Sequence, residues 1–525
     1  MTGNLSTTIT GSHVGIFCGG PKFGDMSTGK IVVTNATDCE FGTFYGAGYG
    51  GNSYSRQAPY NHNNITNFPH NGGTAGNDAS WNAWLARFYK QDYNATYGGV
   101  STQFNYQFLP MSGNADNCAR IFVEYVKFSL AKTLNVTSNL TGCTVTGNFY
   151  GGGNLGKVDG PATSTLTNCT MKGDVFGAGY SASLPTVEVD SIGFRTEPYY
   201  YTNFGTYRTG KKGVTTTYTW EHGNAISIDK TNHILYTTEI LTGLGAVTGK
   251  VTLNIEGTTT VAGNVYGGGA KSDATGDAEV NVKGATIAND VYGGGMGETT
   301  TVQGNVTVNI GPKANNEDIL TIGNVYGGSA LGNVNAKKEE SSLVYAGTDA
   351  SPKTTIVNIK AGTVTGSVYG GGKGQVTNSS LSDPKSFAAQ NFGDATVNME
   401  GGTVQTAVYG GSNIYGVLKK DATVQITGGT IGTNPGESTD IKDVVFGGGF
   451  GEPTIVEGDV TVTIGTSETT PDNTKPTIYG NVYGGSALGN VNVSTSLVPT
   501  ADSKTDVNLY GGTIHGNVFG GGLGQ

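Results

Sequence analysis

Short runs of alternating apolar and polar residues recur along the chain, and each run leads to a group of glycines. The clearest run is DAEVNVKGATIANDVYGGG at 277–295, in which Val280 and Val282 alternate with polar neighbours as in a half-buried strand. Gly284 ends this run, and Ile287 and Val291 then precede the glycines. A unit this short cannot enclose a core of its own, whereas stacked parallel units can. The pattern therefore predicts an all-β fold, a parallel β-helix or β-solenoid.

One phrase, an apolar residue and an aromatic residue followed by glycines, marks each repeat. Its copies lie at 16–20, 44–48, 149–153, 175–179, 265–269, 291–295, 325–329, 368–372, 408–412, 445–449, 482–486 and 518–522. We therefore expect about 12 rungs, each advancing by about 4.8 Å. A longer repeat lies over this one, because GGGMGETTTVQGNVTVNIG at 293–311 resembles GGGFGEPTIVEGDVTVTIG at 447–465. A block of four rungs is thus duplicated.

Equivalent positions of the repeats predict columns of stacked side chains. The residue before the aromatic is nearly always Val, which predicts an inward β-branched column, and the residue before that is a short polar one suited to a turn. The aromatic itself is expected to pack rather than to contact a ligand, although both roles remain open. Cys39, Cys143 and Cys169 lie at similar distances from their aromatics, which favours a stack of buried thiols over a disulfide between adjacent rungs.

Two segments lack the repeat and are expected to be insertions on the flank of the solenoid. They divide the chain into rungs at 1–51, an aromatic-rich insertion at 52–140, rungs at 141–180, a second insertion at 181–246 and rungs at 247–525. In the first insertion, Asp78 can cap a helix that carries Trp81, Trp84, Leu85 and Phe88, and 119–128 alternates like a strand. The second insertion predicts β-hairpins at 205–220, turning at Lys211–Gly213, and at 225–238.

Composition and charge narrow the function. Glycine supplies 87 of 525 residues, charged residues are only 13%, and the net charge is −10. We do not expect nucleic acid to be a partner, because binding it needs clustered Lys and Arg. No stretch approaches the ~18 apolar residues that would predict a transmembrane helix. The N-terminal MTGNLSTTIT has no signal-peptide pattern, and the last phrase stops without a polar cap, so we expect a fragment of a longer array.

Candidate chemistry is sparse. The six histidines show no metal-ligand spacing, the glycine runs lack the lysine of a phosphate loop, and no cofactor is expected. The repeated acids Glu298 and Glu452 lie four rungs apart, which is too far for paired catalysis, and are expected to be turn residues. Aromatic residues of the insertions are the candidate contacts to sugar rings or to a protein; these are Tyr89, Tyr93, Tyr199, Tyr200, Tyr201 and Trp220. Asp190-Ser191-Ile192 resembles the short Asp-Ser/Thr-apolar O-glycosylation site of some exported gut-bacterial proteins, which makes Ser191 a candidate for this modification.

The recurring GNVYGGG and GGTVxGxVYGGG phrases, with the insertion GFRTEPYYYTNFGTYRTGKKGVTTTYTWEHG, resemble large repeat-rich, adhesin-like surface proteins of anaerobic gut bacteria. The resemblance implies an exported protein at the cell surface or outside the cell. It names no ligand.

Three hypotheses follow from these patterns. The first is a non-catalytic structural and adhesive rod that presents its insertions to glycan or to a host or bacterial surface protein, with the solenoid continuing end to end in the parent protein. The alternative is a carbohydrate-active β-helix enzyme, a polysaccharide lyase or hydrolase with its groove beside the insertions. A third is a self-assembling scaffold.

Overall fold

The fold is that of a computed structural model of the chain. The structure describes residues 3–22, 26, 29–49, 131–181, 244–312, 320–339, 342–376, 387–434, 436, 442–466 and 475–524, and the backbone of further strands within 95–102 and 187–237. The described residues are all-β and contain no helix long and apolar enough to cross a membrane.

Twelve parallel strands, one from each rung, form the first face of a solenoid, called sheet A. They confirm the expected number of rungs. Apolar and polar residues alternate along them, and the apolar side chains are buried, as in Val251–Glu256. In order the strands are Leu5–Thr10, Ile31–Thr37, Asn135–Thr141, Ala162–Thr167, Val251–Glu256, Ala278–Val282, Val306–Ile310, Thr354–Ile359, Asp394–Met399, Ala422–Ile426, Val460–Ile464 and Thr505–Leu509.

A sheet of 22 short strands, sheet B, forms the second face. His13–Cys18 and Glu40–Tyr45 span its full width, and every later rung contributes two strands. The first column is Thr144–Val145, Thr170–Met171, Thr259–Val261, Ala285–Ile287, Leu320–Ile322, Thr363–Val364, Thr403–Val404, Thr430–Ile431, Thr477–Ile478 and Thr513–Ile514. The second is Phe149–Tyr150, Val175–Phe176, Val265–Tyr266, Val291–Tyr292, Val325–Tyr326, Val368–Tyr369, Val408–Tyr409, Asp443–Phe446, Asn481–Tyr483 and Val518–Phe519.

A third face, sheet C, closes the cross-section. Lys132–Thr133 pairs with Lys157–Val158, and single bridges through Val247 and Ala274 lead on to Thr301–Val302. Six strands then continue the face: Thr301–Val302, Asn333–Val334, Ala389–Asn391, Gly416–Leu418, Ile455–Val456 and Asn490–Val491. An antiparallel hairpin, Ala336–Glu339 with Ser342–Tyr345, projects beside it.

The core lies between these faces and consists of columns of like residues. Val265 pairs in register with Val291, and Val291 pairs with Val325, so the residue before each aromatic forms the expected inward column. These valines are fully buried against the inward residues of sheet A, such as Val280 and Val308. A smaller apolar cluster fills the space between sheets A and C. Burial of these columns is the main stabilisation of the solenoid.

Three cysteines belong to this core as free thiols. Cys39, Cys143 and Cys169 are buried, and the backbone N–H of Cys39 lies 3.4 Å from Sγ of Cys143. Burial raises the pKa of the Cys169 thiol to about 12. The stack of buried thiols is therefore confirmed over the disulfide. Cys18, by contrast, is only half-buried.

The glycine after each aromatic is explained by close approach of neighbouring rungs. A Cβ on Gly370 would lie 2.3 Å from the carbonyl oxygen of Gly410, the equivalent glycine of the next rung. Gly327 and Gly447 show the same approach to Gly370 and Gly484, at 2.4 and 2.1 Å. Gly370 has no left-handed φ. The column therefore needs glycine because there is no room for a side chain, rather than for an unusual backbone conformation.

Polar side chains stabilise the outer face of sheet A. Asn281, Asn309 and Asn358 are in register, and each donates from Nδ2 to the Oδ1 of the preceding rung at 2.7–3.0 Å. Asn398 extends this ladder to the ninth rung at 2.9 Å. Amide ladders of this kind satisfy donor and acceptor together along a parallel stack.

The insertions interrupt the stack without breaking it. Ile31–Thr37 pairs directly with Asn135–Thr141, and Ala162–Thr167 pairs with Val251–Glu256, across the first and second insertion respectively. The solenoid resumes at Lys132, before the expected boundary at 141. The helix expected from Asp78 and the strand expected at 119–128 lie outside the described residues.

One of the two expected hairpins of the second insertion is found. Ala225–Asp229 pairs antiparallel with Ile234–Thr237, which confirms the hairpin at 225–238. The hairpin predicted at 205–220 is wrong, because its two strands pair with other strands. Thr206–Thr209 pairs with the preceding Tyr199–Asn203, and Thr216–Thr219 pairs with Ala225–Asp229. Each arm therefore pairs with the strand that lies next to it in sequence outside the predicted hairpin, and not with the other arm.

Candidate functional site

The flank of sheet B carries a continuous column of stacked aromatic rings. From Tyr45 to Phe519 the ring centroids of successive rungs lie 4.7–5.1 Å apart with nearly parallel planes. Up to Tyr483 these rings are buried and form a cluster distinct from the valine core. They point away from the valines, as alternation along a strand requires. The expectation that the aromatic packs is therefore confirmed.

A ladder of short polar residues in the turn fixes the spacing beside these rings. Asn148 accepts from the backbone N–H of Asp174 at 2.9 Å, and Asp174 accepts from the N–H of Asn264 at 2.7 Å. Asn324 accepts in the same way from Ser367 at 2.8 Å. Each side chain thus satisfies a backbone donor that the turn of the next rung leaves free.

Several tyrosine hydroxyls are held by the turn. Tyr292 donates to Oδ2 of Asp290 at 2.8 Å, and Tyr483 donates to Oδ1 of Asp443 at 2.8 Å. Burial raises the pKa of Tyr369 to about 12, and burial followed by the charge of Asp290 raises the pKa of Tyr292 still further. The rings are therefore neutral packing elements at physiological pH.

Residues that follow the glycines cover the outer edge of the aromatic column. Ala270, Met296, Ala330, Ala487 and Leu523 pack against it. Phe450 occupies the same segment in the tenth rung, with its ring centroid 5.7 Å from that of Tyr409 and tilted by 57°. It is 41% exposed. The aromatic column thus has a wall of post-glycine residues on one side and the polar turn on the other.

A pocket of about 460 Å³ opens between these two walls at the ninth to twelfth rungs. Tyr409 and Phe446 form its floor, and their rings stack at 5.0 Å. Phe450, Ala487 and Leu523 line the apolar side. Gln405, Thr433, Lys442 and Asp443 line the polar side. Its volume lies within the ~300–1,000 Å³ typical of sites for small molecules.

The carboxylate of Asp443 is held rigidly at this pocket. Its Oδ1 accepts from Nδ2 of Asn481 at 2.9 Å and from the hydroxyl of Tyr483 at 2.8 Å. Asp443 sits at a bulge where the strand slips by one residue relative to Asn481 and Val482. The bulge places the carboxylate at the pocket, since bulges redirect side chains.

The structure does not bring the predicted binding residues into this pocket. Tyr199, Tyr200 and Tyr201 lie on a strand of the second insertion whose side chains are not described. Tyr89, Tyr93, Trp220 and Ser191 fall outside the described residues. Their roles remain predictions.

The repeated acids are turn residues, as expected. Glu298 and Glu452 are both exposed and lie in turns just after the glycines of the sixth and tenth rungs. Among the residues that the structure describes, no group of three His, Cys, Asp or Glu side chains is arranged to hold a metal ion.

Comparisons of the chain with family models, with curated proteins and with solved structures find no match.

Asp443 and Phe450 were not singled out by the sequence patterns. The signal that could have found Phe450 is the difference between the two copies of the duplicated block. Phe450 stands where the first copy has Met296, and Leu523 stands where it has Lys373. Residues that recur in every repeat are explained by packing, so positions that differ between otherwise matched repeats are the ones to search for binding.

Proposed function

We propose that the chain is a non-catalytic structural and adhesive rod, displayed at the cell surface or outside the cell, that presents its insertions to glycan or to a surface protein. The observation that supports it is the continuity of the columns. Val, aromatic, glycine and turn residues repeat in register through the rungs on both sides of each insertion. Such a stack is a stiff spacer from which inserted segments project.

The residues that recur most often in the rungs serve the packing of the rod itself. The aromatics stack on one another, the glycines admit the next rung, and the polar turn residues bond backbone. An adhesive role then falls to the parts that vary, of which the two insertions are the largest. The resemblance to adhesin-like surface proteins supports the same location and class.

Binding and turnover measured on the same ligands test the proposal. The full chain is applied to a glycan array and to surface-protein extracts, and each bound polysaccharide is then assayed for new reducing ends and for unsaturated products. We expect binding without product. Replacing Trp220 with Ala, or Tyr199, Tyr200 and Tyr201 together with Ser, should weaken it at least tenfold.

A matched control is Tyr510→Ser, which removes an exposed aromatic of the solenoid itself. This variant should bind as the unchanged chain does. Turnover that disappears on a single carboxylate substitution would refute the non-catalytic role. Binding that survives all the insertion variants would refute the placement of the site on the insertions.

A further inference from the structure

The duplicated block lets two copies of the same surface be compared within one chain. In the first copy, Asp290 is 8% exposed and accepts from Tyr292 and Asn324. Lys373, from the glycine phrase two rungs further on, lies with its Nζ 3.1 Å from Oδ2 of Asp290. Burial alone would raise the pKa of Asp290, but the hydrogen bonds from Asn324 and Tyr292 and the charge of Lys373 hold it below its usual value. Lys373 thus occupies the space beside Asp290 and neutralises the charge of its carboxylate.

In the second copy, the residue that fills this place is different. GGGKGQ at 370–375 becomes GGGLGQ at 520–525, so Leu523 replaces Lys373. The carboxylate of Asp443 remains beside the aromatic column, but Leu523 has no ammonium group to reach it. Met296 is replaced by Phe450, which adds an exposed ring. Asp443, Phe450 and Leu523 all line the pocket of about 460 Å³.

The pocket has one aromatic side and one hydrogen-bonding side, which is the pattern that a sugar ring requires. The C–H face of a pyranose packs against an aromatic ring, and its equatorial hydroxyls donate to carboxylate and amide oxygens and accept from amide N–H groups. Phe450 and the edges of the stacked rings supply the first side; Asp443, Gln405 and Thr433 supply the second. We propose that this pocket binds a neutral pyranose unit of a glycan.

The charges at the pocket favour a neutral ligand over a cationic or anionic one. Lys442 and Asp443 place one charge of each sign on the polar side. The Asp443 carboxylate is already fixed by Asn481 and Tyr483, so it loses little freedom when a hydroxyl donates to it. Charge-assisted hydrogen bonds from hydroxyls to such a carboxylate are among the stronger polar contacts available to a sugar.

The surface beside the pocket fits a chain of sugars better than a single one. Ile414, Phe450 and Leu488 are exposed and occupy the post-glycine segment of three successive rungs. Asn413, which precedes Ile414, bridges to Phe450, and Phe450 bridges to Leu488, so these three post-glycine segments lie side by side along the axis. Adjacent segments are about 4.8 Å apart, which is the spacing of neighbouring strands, so a chain of sugars laid along the axis would pass over all three. Neighbouring sugars would therefore rest on Ile414 or Leu488.

The pocket lies on the rod, whereas the proposed function places binding on the insertions. Either proposal can therefore be refuted while the other stands. The full chain is tested by saturation-transfer NMR against neutral hexose and N-acetylhexosamine oligosaccharides, and the bound ones by calorimetry. Leu523→Lys recreates the filled first copy and should lower affinity at least tenfold. Phe450→Met restores the other first-copy residue and should lower it several-fold. Met296→Leu, at the equivalent place of the first copy, is the control and should leave affinity unchanged.

The substitutions use residues that the same fold already holds in its other copy, so both variants are expected to fold, and circular dichroism checks that they do. Binding that Leu523→Lys and Phe450→Met reduce, but Trp220→Ala does not, supports a site on the rod. Failure of every oligosaccharide to bind would overturn the inference. It would also be overturned if Leu523→Lys and Phe450→Met both left affinity unchanged, or if only peptides bound.

Discussion

Gly370→Ala should destabilise the eighth and ninth rungs by about 2–6 kcal/mol. The added Cβ would stand 2.3 Å from the carbonyl oxygen of Gly410, whereas ordinary contacts begin at 3.4 Å. Both atoms that clash belong to the backbone or are fixed to it, so no rotamer change relieves the contact, and the rungs must move apart by about 1 Å. Gly370 and Gly371 donate across this gap to Tyr409 and Gly411 at 2.9 and 3.0 Å. Separation would take both bonds past ~3.5 Å, at about 1–3 kcal/mol for each buried group left without a partner.

Hydrogen exchange read by mass spectrometry is the suitable assay, because rungs of a solenoid open locally. Peptides covering 363–371 and 403–411 should exchange at least about 30-fold faster in Gly370→Ala, which corresponds to about 2 kcal/mol. Gly520→Ala is the matched control. Gly520 belongs to the same column, yet within the described part of the chain no atom lies within 4 Å of where its Cβ would stand. Unchanged exchange in folded Gly370→Ala would refute the close approach of the rungs.

Three further predictions concern the columns. Tyr369 keeps its proton more tightly when folded, so its contribution to stability is complete below its unfolded pKa of about 10 and is lost as the pH rises through about 12. The part of the tyrosinate absorbance that Tyr369→Phe removes should appear together with the loss of circular dichroism, and its appearance in the folded chain would contradict this. The buried Cys169 thiol should resist a disulfide reagent at neutral pH until the chain is unfolded, and rapid labelling of Cys169 in the native protein, located by peptide mapping, would show it to be exposed. Asn309→Ala removes the hydrogen bonds to Asn281 and Asn358 and should lower the free energy of unfolding by about 1–2 kcal/mol, which a lower thermal midpoint would show. An unchanged midpoint would show that the amide ladder does not stabilise the solenoid.

Much of the solenoid could be predicted because the same short phrase recurs along the sequence, once in each rung. The valine before the aromatic and the short polar residue before that valine recur in most rungs, and stacking in register converts this recurrence into columns such as Val265 on Val291. The number of rungs follows from the same count. Alternation within a strand also gave the right face for the aromatic, although its burial depends on the residues that fold back over it.

The parts that escaped prediction depend on neighbours distant in sequence or on strands too short to show a pattern. Sheet C is built from two- and three-residue strands, such as Asn333–Val334, in which alternation cannot be recognised. The pocket brings Asp443 beside Leu523, a residue of the twelfth rung. The antiparallel partners of Thr206–Thr209 and Thr216–Thr219 were a choice between adjacent strands of similar composition, which local propensity does not decide.

The central claim is that successive phrases are neighbouring turns of one coiled sheet in register, and paired cysteines test it most directly. Thr363 and Thr403 are in register on adjacent strands of sheet B, and Thr430 lies one rung beyond. Adjacent parallel strands are about 4.8 Å apart, within the ~4.4–6.8 Å between Cα atoms that a disulfide spans. Mild oxidation should therefore cross-link Thr363→Cys with Thr403→Cys in the folded chain, and should leave Thr363→Cys with Thr430→Cys open. Equal cross-linking of both pairs, or of neither, would contradict the stacked solenoid.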